Sequence, residues 1–149
     1  MVFVDSVIVE KEQFLTAYVL GNECGDIEAT QNILGGNVAE GSMAYRTEMR
    51  DKIYYSNTNA TGSMKLYMCY KMFDGWSQPA VLNGLPEGDC NYPFLLADGV
   101  TIYFANNNPN GLGGYDIYVT RYNSDTDRFF TAENIGMPFN SPANDYMMV

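Results

Sequence analysis

Short hydrophobic runs, separated by turns rich in Gly, Asn and Asp, recur along most of the chain. The run Thr101–Phe104 is apolar on both alternating faces, which is typical of a strand in a sheet that is covered on both sides. The preceding Ala97–Gly99 is a hairpin signal, and Asn106–Gly114 is a loop rich in glycine and asparagine. The pattern predicts an all-β fold of short antiparallel strands.

The pattern repeats with a period near 50 residues. Four pairs of residues mark the repeat, at offsets of 49, 49, 51 and 53: Ile53 and Ile102, Gly62 and Gly111, Leu66 and Ile117, Leu82 and Ile135. Because the offset grows along the chain, we expect slightly longer connections in the second copy.

The pattern predicts four short strands in each repeat unit, and in the second copy they lie near 91–96, 100–106, 115–122 and 128–132. We expect residues 43–82 and 91–135 to form two equivalent four-stranded antiparallel sheets, stacked face to face. A period near 50 with four strands per unit is typical of a β-propeller blade.

The repeat divides the chain into two regions. Residues 42–149 contain two full blades, about 42–83 and 91–136, and the first strand of a next blade over 144–149. Residues 1–41 contain a strand over 2–9, a short helix over 10–18 and a linker, and one reading makes them part of a preceding blade. This region carries seven acidic residues and one lysine within its first 40 positions, which is typical of a solvated face or a connecting loop.

The second copy carries a recognisable motif. The segment Asn91-Tyr-Pro-Phe-Leu-Leu-Ala-Asp-Gly-Val-Thr-Ile-Tyr-Phe-Ala105, followed by Gly113-Gly-Tyr-Asp-Ile-Tyr-Val119, resembles the TolB-type, WD-repeat-like β-propeller motif. Ala97 stands where that motif has Ser. The first copy matches less closely, because Tyr45–Glu48 lacks the proline and the Asp-Gly turn looks shortened around Met49–Asp51.

The resemblance covers roughly residues 42–149 and concerns the fold. The ending Gly136-Met-Pro-Phe-Asn-Ser-Pro-Ala-Asn-Asp-Tyr146 is similar to linkers between blades in envelope lipoproteins of Gram-negative bacteria. It implies a bacterial cell envelope location, either periplasmic or anchored to the outer membrane, with a leader that this chain does not include. Function does not follow, because propellers have many unrelated activities.

Charge and composition exclude several classes of function. The net charge is −10, which repels phosphate backbones, so we expect no nucleic-acid partner. The chain has no histidine, the commonest general base and metal ligand, so we predict no transition-metal site and no cofactor. There is no run of about 18 apolar residues, so no transmembrane segment is predicted.

The motifs that suggest chemistry have simpler structural explanations. Gly111–Gly114 lacks the Lys-Ser/Thr of a phosphate-binding loop, and we expect its glycines to adopt positive φ. A pair of carboxylates could act in a glycosidase, and four aspartates are available: Asp89, Asp98, Asp116 and Asp145. We expect structural roles for Asp98, in a turn, and for Asp116, in a repeated strand motif.

Three further features carry weaker signals. Asp125-Thr-Asp127 lacks the glycine and glutamate of a calcium loop, and Asn59-Ala-Thr61 fits a glycosylation sequon that is frequent by chance. The cysteines form no CxxC pair, and we expect Cys24, Cys69 and Cys90 to be small hydrophobic residues rather than reactive thiols.

Aromatic residues are dense and could form either a core or a carbohydrate-binding surface. The core is the more common use of such residues at strand spacing: Tyr54, Tyr55, Tyr67, Tyr70, Trp76, Tyr92, Tyr103, Phe104, Tyr115 and Tyr118. We therefore predict a protein with no catalytic residues that recognises or scaffolds other proteins through loops on a rigid frame. The alternative is a propeller that binds or processes carbohydrate.

The sequence also leads to an expectation about whether the propeller is closed. Two blades leave apolar faces and strand edges open to water, whereas closed propellers have 4–8 blades. We therefore expect either a longer native protein or a second copy of the chain that covers these surfaces. The strand near 2–9 could also cap one edge.

Overall fold

The computed structural model describes residues 8–10, 13, 20–21 and 23–148. Among these residues strands make up 39% and helix 5%, and the structure is all-β with two antiparallel sheets. In the described residues no helix is both long and apolar enough to cross a membrane. The elements are, in chain order, β1 (Asp26–Ala29), α1 (Thr30–Leu34), β2 (Met43–Arg46), β3 (Lys52–Thr58), β4 (Met64–Met72), β5 (Gly75–Trp76), β6 (Ala80–Val81), β7 (Cys90–Leu95), β8 (Thr101–Asn106), β9 (Asp116–Asn123), β10 (Arg128–Phe129) and β11 (Glu133–Asn134).

The first sheet has the order β1-β2-β3-β4-β5, and β6 pairs with another part of β4. The second has the order β7-β8-β9-β10, and β11 pairs with another part of β9. The all-β prediction is therefore confirmed, as is the prediction of two antiparallel sheets. The strand counts differ from the expected four, because the fourth strand of each unit is split in two and β1 joins the first sheet.

Local chemistry accounts for the split in the fourth strand. In the first sheet Pro79 lies between β5 and β6, and proline has no N–H to donate to β4. In the second sheet the Thr120 hydroxyl donates to the Phe130 carbonyl at 2.7 Å, so a side chain replaces a backbone donor there. Of the predicted strand 128–132, only Arg128–Phe129 is a strand, β10, and β11 begins at Glu133, just beyond it.

Pairing registers relate the two units residue by residue. Ile53 pairs with Cys69 in the first sheet, and Ile102 pairs with Thr120 in the second. Leu82 N donates to Leu66 O at 2.9 Å, and the matching bond joins Ile135 N to Ile117 O at 3.2 Å. These bonds reproduce the offsets of 49, 51 and 53 that the sequence indicated.

The register also locates the longer connections. The β4–β5 hairpin has two turn residues, whereas the β9–β10 turn spans 124–127. The second unit has two further inserted residues, which lie just before Tyr115. The offset is still 49 at the preceding turn, where Gly62 N donates to Asn59 O in one unit and Gly111 N donates to Asn108 O in the other. Insertions in turns therefore explain the growing offset.

The turn between β2 and β3 corrects one expectation. Arg50 N donates to Thr47 O at 2.8 Å, and Gly99 N donates to Leu96 O at 3.0 Å, with the same spacing of 49. Arg50 has φ 57° and Gly99 has φ 71°. The first turn is therefore not shortened around Met49–Asp51; an arginine occupies the left-handed position that glycine fills in the second unit.

Each sheet has two faces, which alternation along the strands defines. Face A contains Ile53 and Tyr55 in the first sheet and Ile102 and Phe104 in the second; face B contains residues such as Tyr54 and Leu66. The main core cluster joins face B of the first sheet to face A of the second, through Tyr54, Leu66 and Leu82 on one side and Ile102, Phe104 and Tyr118 on the other. The two sheets thus contact each other through opposite faces.

The remaining contacts fix this arrangement. Ile33 and Leu34 of α1 pack against the face A cluster of the first sheet. Between the sheets, the Asn83 side chain donates to Phe129 O at 2.5 Å and accepts from Phe129 N at 3.0 Å. The Ser56 hydroxyl donates to Asn91 Oδ1 at 2.5 Å, in a buried position.

Some sequence predictions fall outside the described residues. The strand over 2–9 and the helix over 10–18 lie almost entirely there, and so does Val149. Residues 144–148 contain no strand. The domain boundaries at 42, 83, 91 and 136 stay predictions.

Candidate functional site

Asp98 and Asp116, two of the candidate carboxylates, are occupied by hydrogen bonds within the fold. Asp98 accepts hydrogen bonds from Val100 N at 2.9 Å, from Thr101 N at 2.8 Å and from the Thr101 hydroxyl at 2.6 Å. Burial opposes ionisation, but these bonds and Arg121 hold the pKa of Asp98 below its usual value. Asp116, only 1% exposed, accepts from Leu112 N at 2.6 Å and Gly113 N at 3.1 Å.

The glycine-rich loop is therefore an anion site that the protein fills itself. Successive backbone N–H groups at such a loop can cradle a phosphate, but here they bind the Asp116 carboxylate. The expectation of positive φ is wrong for Gly111, Gly113 and Gly114, none of which has a left-handed conformation. Close approach requires glycine instead, because a Cβ on Gly113 would lie 1.9 Å from Ala143 O.

Asp89 and Asp145 hold the connections between units. Asp89 Oδ1 accepts a hydrogen bond from Met64 N at 2.8 Å. The equivalent donor in the second unit is Tyr115 N, 51 residues after Met64, and it donates to Asn144 Oδ1 at 2.9 Å. Asp145 accepts from Ser141 N at 2.7 Å. Both carboxylates therefore hold backbone groups of the fold.

The weaker motifs also have local partners. Asp127 accepts a 2.5 Å hydrogen bond from the Tyr122 hydroxyl, which raises the pKa of Tyr122. Asn59 of the sequon accepts from Thr61 N at 3.0 Å and Ser63 N at 3.0 Å, so it shapes its own turn. Among the described residues, no group of three or more His, Cys, Asp or Glu could hold a metal ion.

All three cysteines are free in the structure. Cys69 and Cys90 are buried, and Cys24 is half-buried. Burial raises the pKa of Cys90 to about 11 and also raises the pKa of Cys69, so both stay protonated at neutral pH.

The aromatic residues divide between core and surface. Five of the ten are half-buried, Tyr70 is exposed, and the core members are Tyr54, Tyr55, Phe104 and Tyr118. Three half-exposed tyrosines form a cluster beside the glycine-rich loop. The Tyr146 ring lies 5.2 Å from that of Tyr92 and 5.8 Å from that of Tyr115. Burial raises the pKa of Tyr92 and Tyr115.

A second surface lies at the opposite end of the strands, where the turns β2–β3 and β4–β5 meet. Lys71 N donates to Asp51 O at 2.6 Å, which places the two turns side by side. Four large hydrophobic side chains are exposed here: Met49 at 82%, Tyr70 at 52%, Met72 at 47% and Phe73 at 108%. We call these four residues the apolar turn cluster. Beside it, the Lys71 Nζ lies 4.9 Å from the centre of the Trp76 ring.

The second unit provides an internal comparison for this cluster. Register equivalence matches Met49 to Asp98, Tyr70 to Arg121 and Met72 to Asn123. Phe73 lies in the two-residue turn that corresponds to the polar turn 124–127. Since the same positions are polar in one unit and apolar in the other, the architecture does not require hydrophobic side chains there.

A groove of about 210 Å³ opens at the same end of the sheets, between the β2–β3 and β7–β8 turns. Its apolar walls include Tyr45, Met49, Leu95 and Ala97. The groove is also lined by three acidic residues, Glu23, Glu48 and Asp51, and by one basic residue, Lys52. The groove and the apolar turn cluster thus adjoin each other.

The sequence interpretation did not single out Met49, Met72 or Phe73. A signal was present, because the repeat alignment sets each against a polar residue or a polar turn. No family model, curated protein or solved structure matches the chain.

Proposed function

We propose that the chain is part of a non-enzymatic β-propeller that recognises other proteins through turns at the ends of its sheets. Two features support the propeller. The units repeat with the same register, and they contact each other through opposite faces, which is the geometry of stacked blades. The resemblance to envelope lipoproteins supports a location in a bacterial cell envelope.

The apolar turn cluster carries the recognition part of the proposal. Met and aromatic residues are enriched at protein interfaces, and exposed contiguous hydrophobic side chains mark such sites. The candidate acids meanwhile serve internal hydrogen bonds, and this agrees with a binding role rather than a catalytic one. Turns held on a rigid sheet suit recognition, because the frame positions them at little entropic cost.

Carbohydrate binding is the second candidate, and the tyrosine cluster of Tyr92, Tyr115 and Tyr146 favours it. Tyrosine rings provide faces on which sugars stack. The neighbouring turn offers Asn110, which is exposed, as a polar group. These rings contact one another, however, and the same contacts tie the segment 144–148 to the second sheet.

Site-specific photo-crosslinking in the native host tests the proposal. A photoreactive residue at position 73 should give discrete protein adducts, identified by mass spectrometry. The same residue at Thr126, in the equivalent turn of the second unit, is the matched control and should give none. Equal adducts from both positions would contradict recognition through the apolar turn cluster.

A glycan array and a panel of hydrolase substrates test the alternative. We expect neither binding nor turnover. Sugar binding that is lost in Tyr92→Ala, and retained in Phe73→Ser, would replace protein recognition with the second candidate.

A further inference from the structure

We propose that the apolar turn cluster docks a second copy of this chain, with Phe73 of each copy seated in the groove of the other. This rests on the proposed recognition role of these turns and names their partner. Phe73 protrudes fully into solvent at a hairpin tip, and the groove of about 210 Å³ opens beside it at the same end of the sheets.

A two-fold axis satisfies both features at once. In an isologous dimer residue i of one copy contacts residue j of the other, and j contacts i in return. A protruding side chain and an adjacent groove therefore give two identical contacts. The groove has apolar walls at Tyr45, Leu95 and Ala97, which suit a phenyl ring.

Charge supports the same partner. The hairpin that carries Phe73 has both an exposed Lys71 and an exposed Asp74. The groove has the basic Lys52 among the acidic Glu23, Glu48 and Asp51. In a two-fold pair the lysine of the hairpin can face the acids of the groove while its aspartate faces the lysine, and such charge pairing favours a specific register. The chain as a whole has a net charge of −10, so two copies repel each other over most orientations. The turn region suits contact between copies because its charges are mixed.

The mixed charge also argues against a lipid surface. Arg50, Lys52 and Lys71 lie among Glu48, Asp51 and Asp74 on the same turns. Attraction to anionic lipids needs a local excess of Lys and Arg. A protein surface with both signs of charge is the better match.

Sedimentation equilibrium of the purified full chain, from low to high micromolar concentration, tests the proposal. We expect a monomer–dimer equilibrium in the wild type. Phe73→Ser removes the protruding side chain and should raise the dissociation constant of the dimer by about 30-fold or more, as at an interface hot spot. Ala97→Trp should fill the groove and raise the dissociation constant by a similar factor. Thr126→Ser, in the equivalent turn of the second unit, should leave it unchanged.

Mixing the two variants gives the sharpest result. A heterodimer of Phe73→Ser with Ala97→Trp keeps one intact contact, because the tryptophan variant supplies Phe73 and the serine variant supplies the groove. The mixture should therefore associate more strongly than either variant alone. Both positions are exposed, and far-UV circular dichroism should show unchanged folding.

Three outcomes would overturn the proposal: a wild type that stays monomeric, a Phe73→Ser variant that dimerises like the wild type, or a mixture with no recovery. A monomeric wild type whose position 73 still crosslinks to another protein in cells would refute the second copy as partner and leave the recognition role intact. Equal crosslinking from positions 73 and 126 would refute the recognition role itself.

Discussion

Arg50 and Gly99 occupy the same left-handed position in two equivalent turns. For a residue with a Cβ this conformation costs roughly 1–2 kcal/mol, whereas glycine adopts it freely. Arg50 gains little in return, because its Nη2 lies 3.5 Å from Asp26 in an exposed pair. The first turn therefore keeps a strained residue where the second has an unstrained one.

Substitutions at Arg50 and at Gly99 should change the free energy of unfolding in opposite directions. We expect Arg50→Gly to raise the free energy of unfolding by about 0.5 kcal/mol, because relief of strain exceeds the lost ion pair. Gly99→Ala should lower the free energy of unfolding by about 1 kcal/mol. Backbone strain is the whole cause, because the added Cβ meets no atom within 4 Å. Urea unfolding of both variants measures the difference. A loss of stability in Arg50→Gly would show that the pair with Asp26 outweighs the strain.

At the scale of elements, the strands with strong hydrophobic patterns could be predicted from the sequence. Strands expected at 100–106 and 115–122 are β8 and β9, with ends shifted by one residue. Strand β1 was not predicted, because Asp26 and Glu28 give it the composition of a loop. Pairing with β2 stabilises it, and Arg46 Nη2 lies 3.0 Å from both acids. Such contacts between distant segments leave no local pattern.

The candidate surface was harder to predict than the fold. Aromatic residues could be divided into core and surface only when the sheets were placed. Phe73 and Met49 are hydrophobic residues in turns, and sequence alone does not show whether a turn packs inward or protrudes. The comparison between repeats was the available signal, since it sets Met49 against Asp98.

The glycine-rich loop depends on the charge of Asp116. Asp116→Asn retains one acceptor oxygen but turns an NH2 group toward a backbone N–H that needs an acceptor. We expect a loss of about 2 kcal/mol in the free energy of unfolding, as for a buried hydrogen bond to a charged group. Urea unfolding should show this loss, with Asp125→Asn, on an exposed turn, as the control within about 0.5 kcal/mol of wild type. Equal stability of the two variants would mean that the loop does not need the carboxylate.

At the scale of the whole molecule, buried cysteine and tyrosine side chains with raised pKa values determine how stability responds to alkaline pH. Burial raises the pKa of Cys90 to about 11 and that of Tyr54 to about 12. The folded state thus holds these protons more tightly than the unfolded state, so the associated stability is complete below the unfolded pKa values. It is lost as pH rises through the folded values.

We therefore expect the free energy of unfolding to fall between about pH 9 and pH 12, and to change little from about pH 6 to 8, because the chain has no histidine. Urea midpoints across this range measure the effect. In Cys90→Ala the decline between about pH 9 and 11 should be shallower, whatever the variant's stability at neutral pH. A decline as steep as in the wild type would exclude Cys90 as a contributor.

Contact through opposite faces has a consequence for how such a molecule can evolve. A duplicated unit brings with it both of the complementary surfaces, face A and face B, so a gene duplication can lengthen the array without inventing a new interface. A sandwich whose sheets meet through the same face has no free complementary surface for a third sheet. In an array of this kind each interface involves only adjacent units, so stability grows roughly by one unit and one interface at a time. Individual units of such an array can then differ in their turns, as the first unit with Met49 differs from the second with Asp98, while the faces that join them keep their complementary shapes.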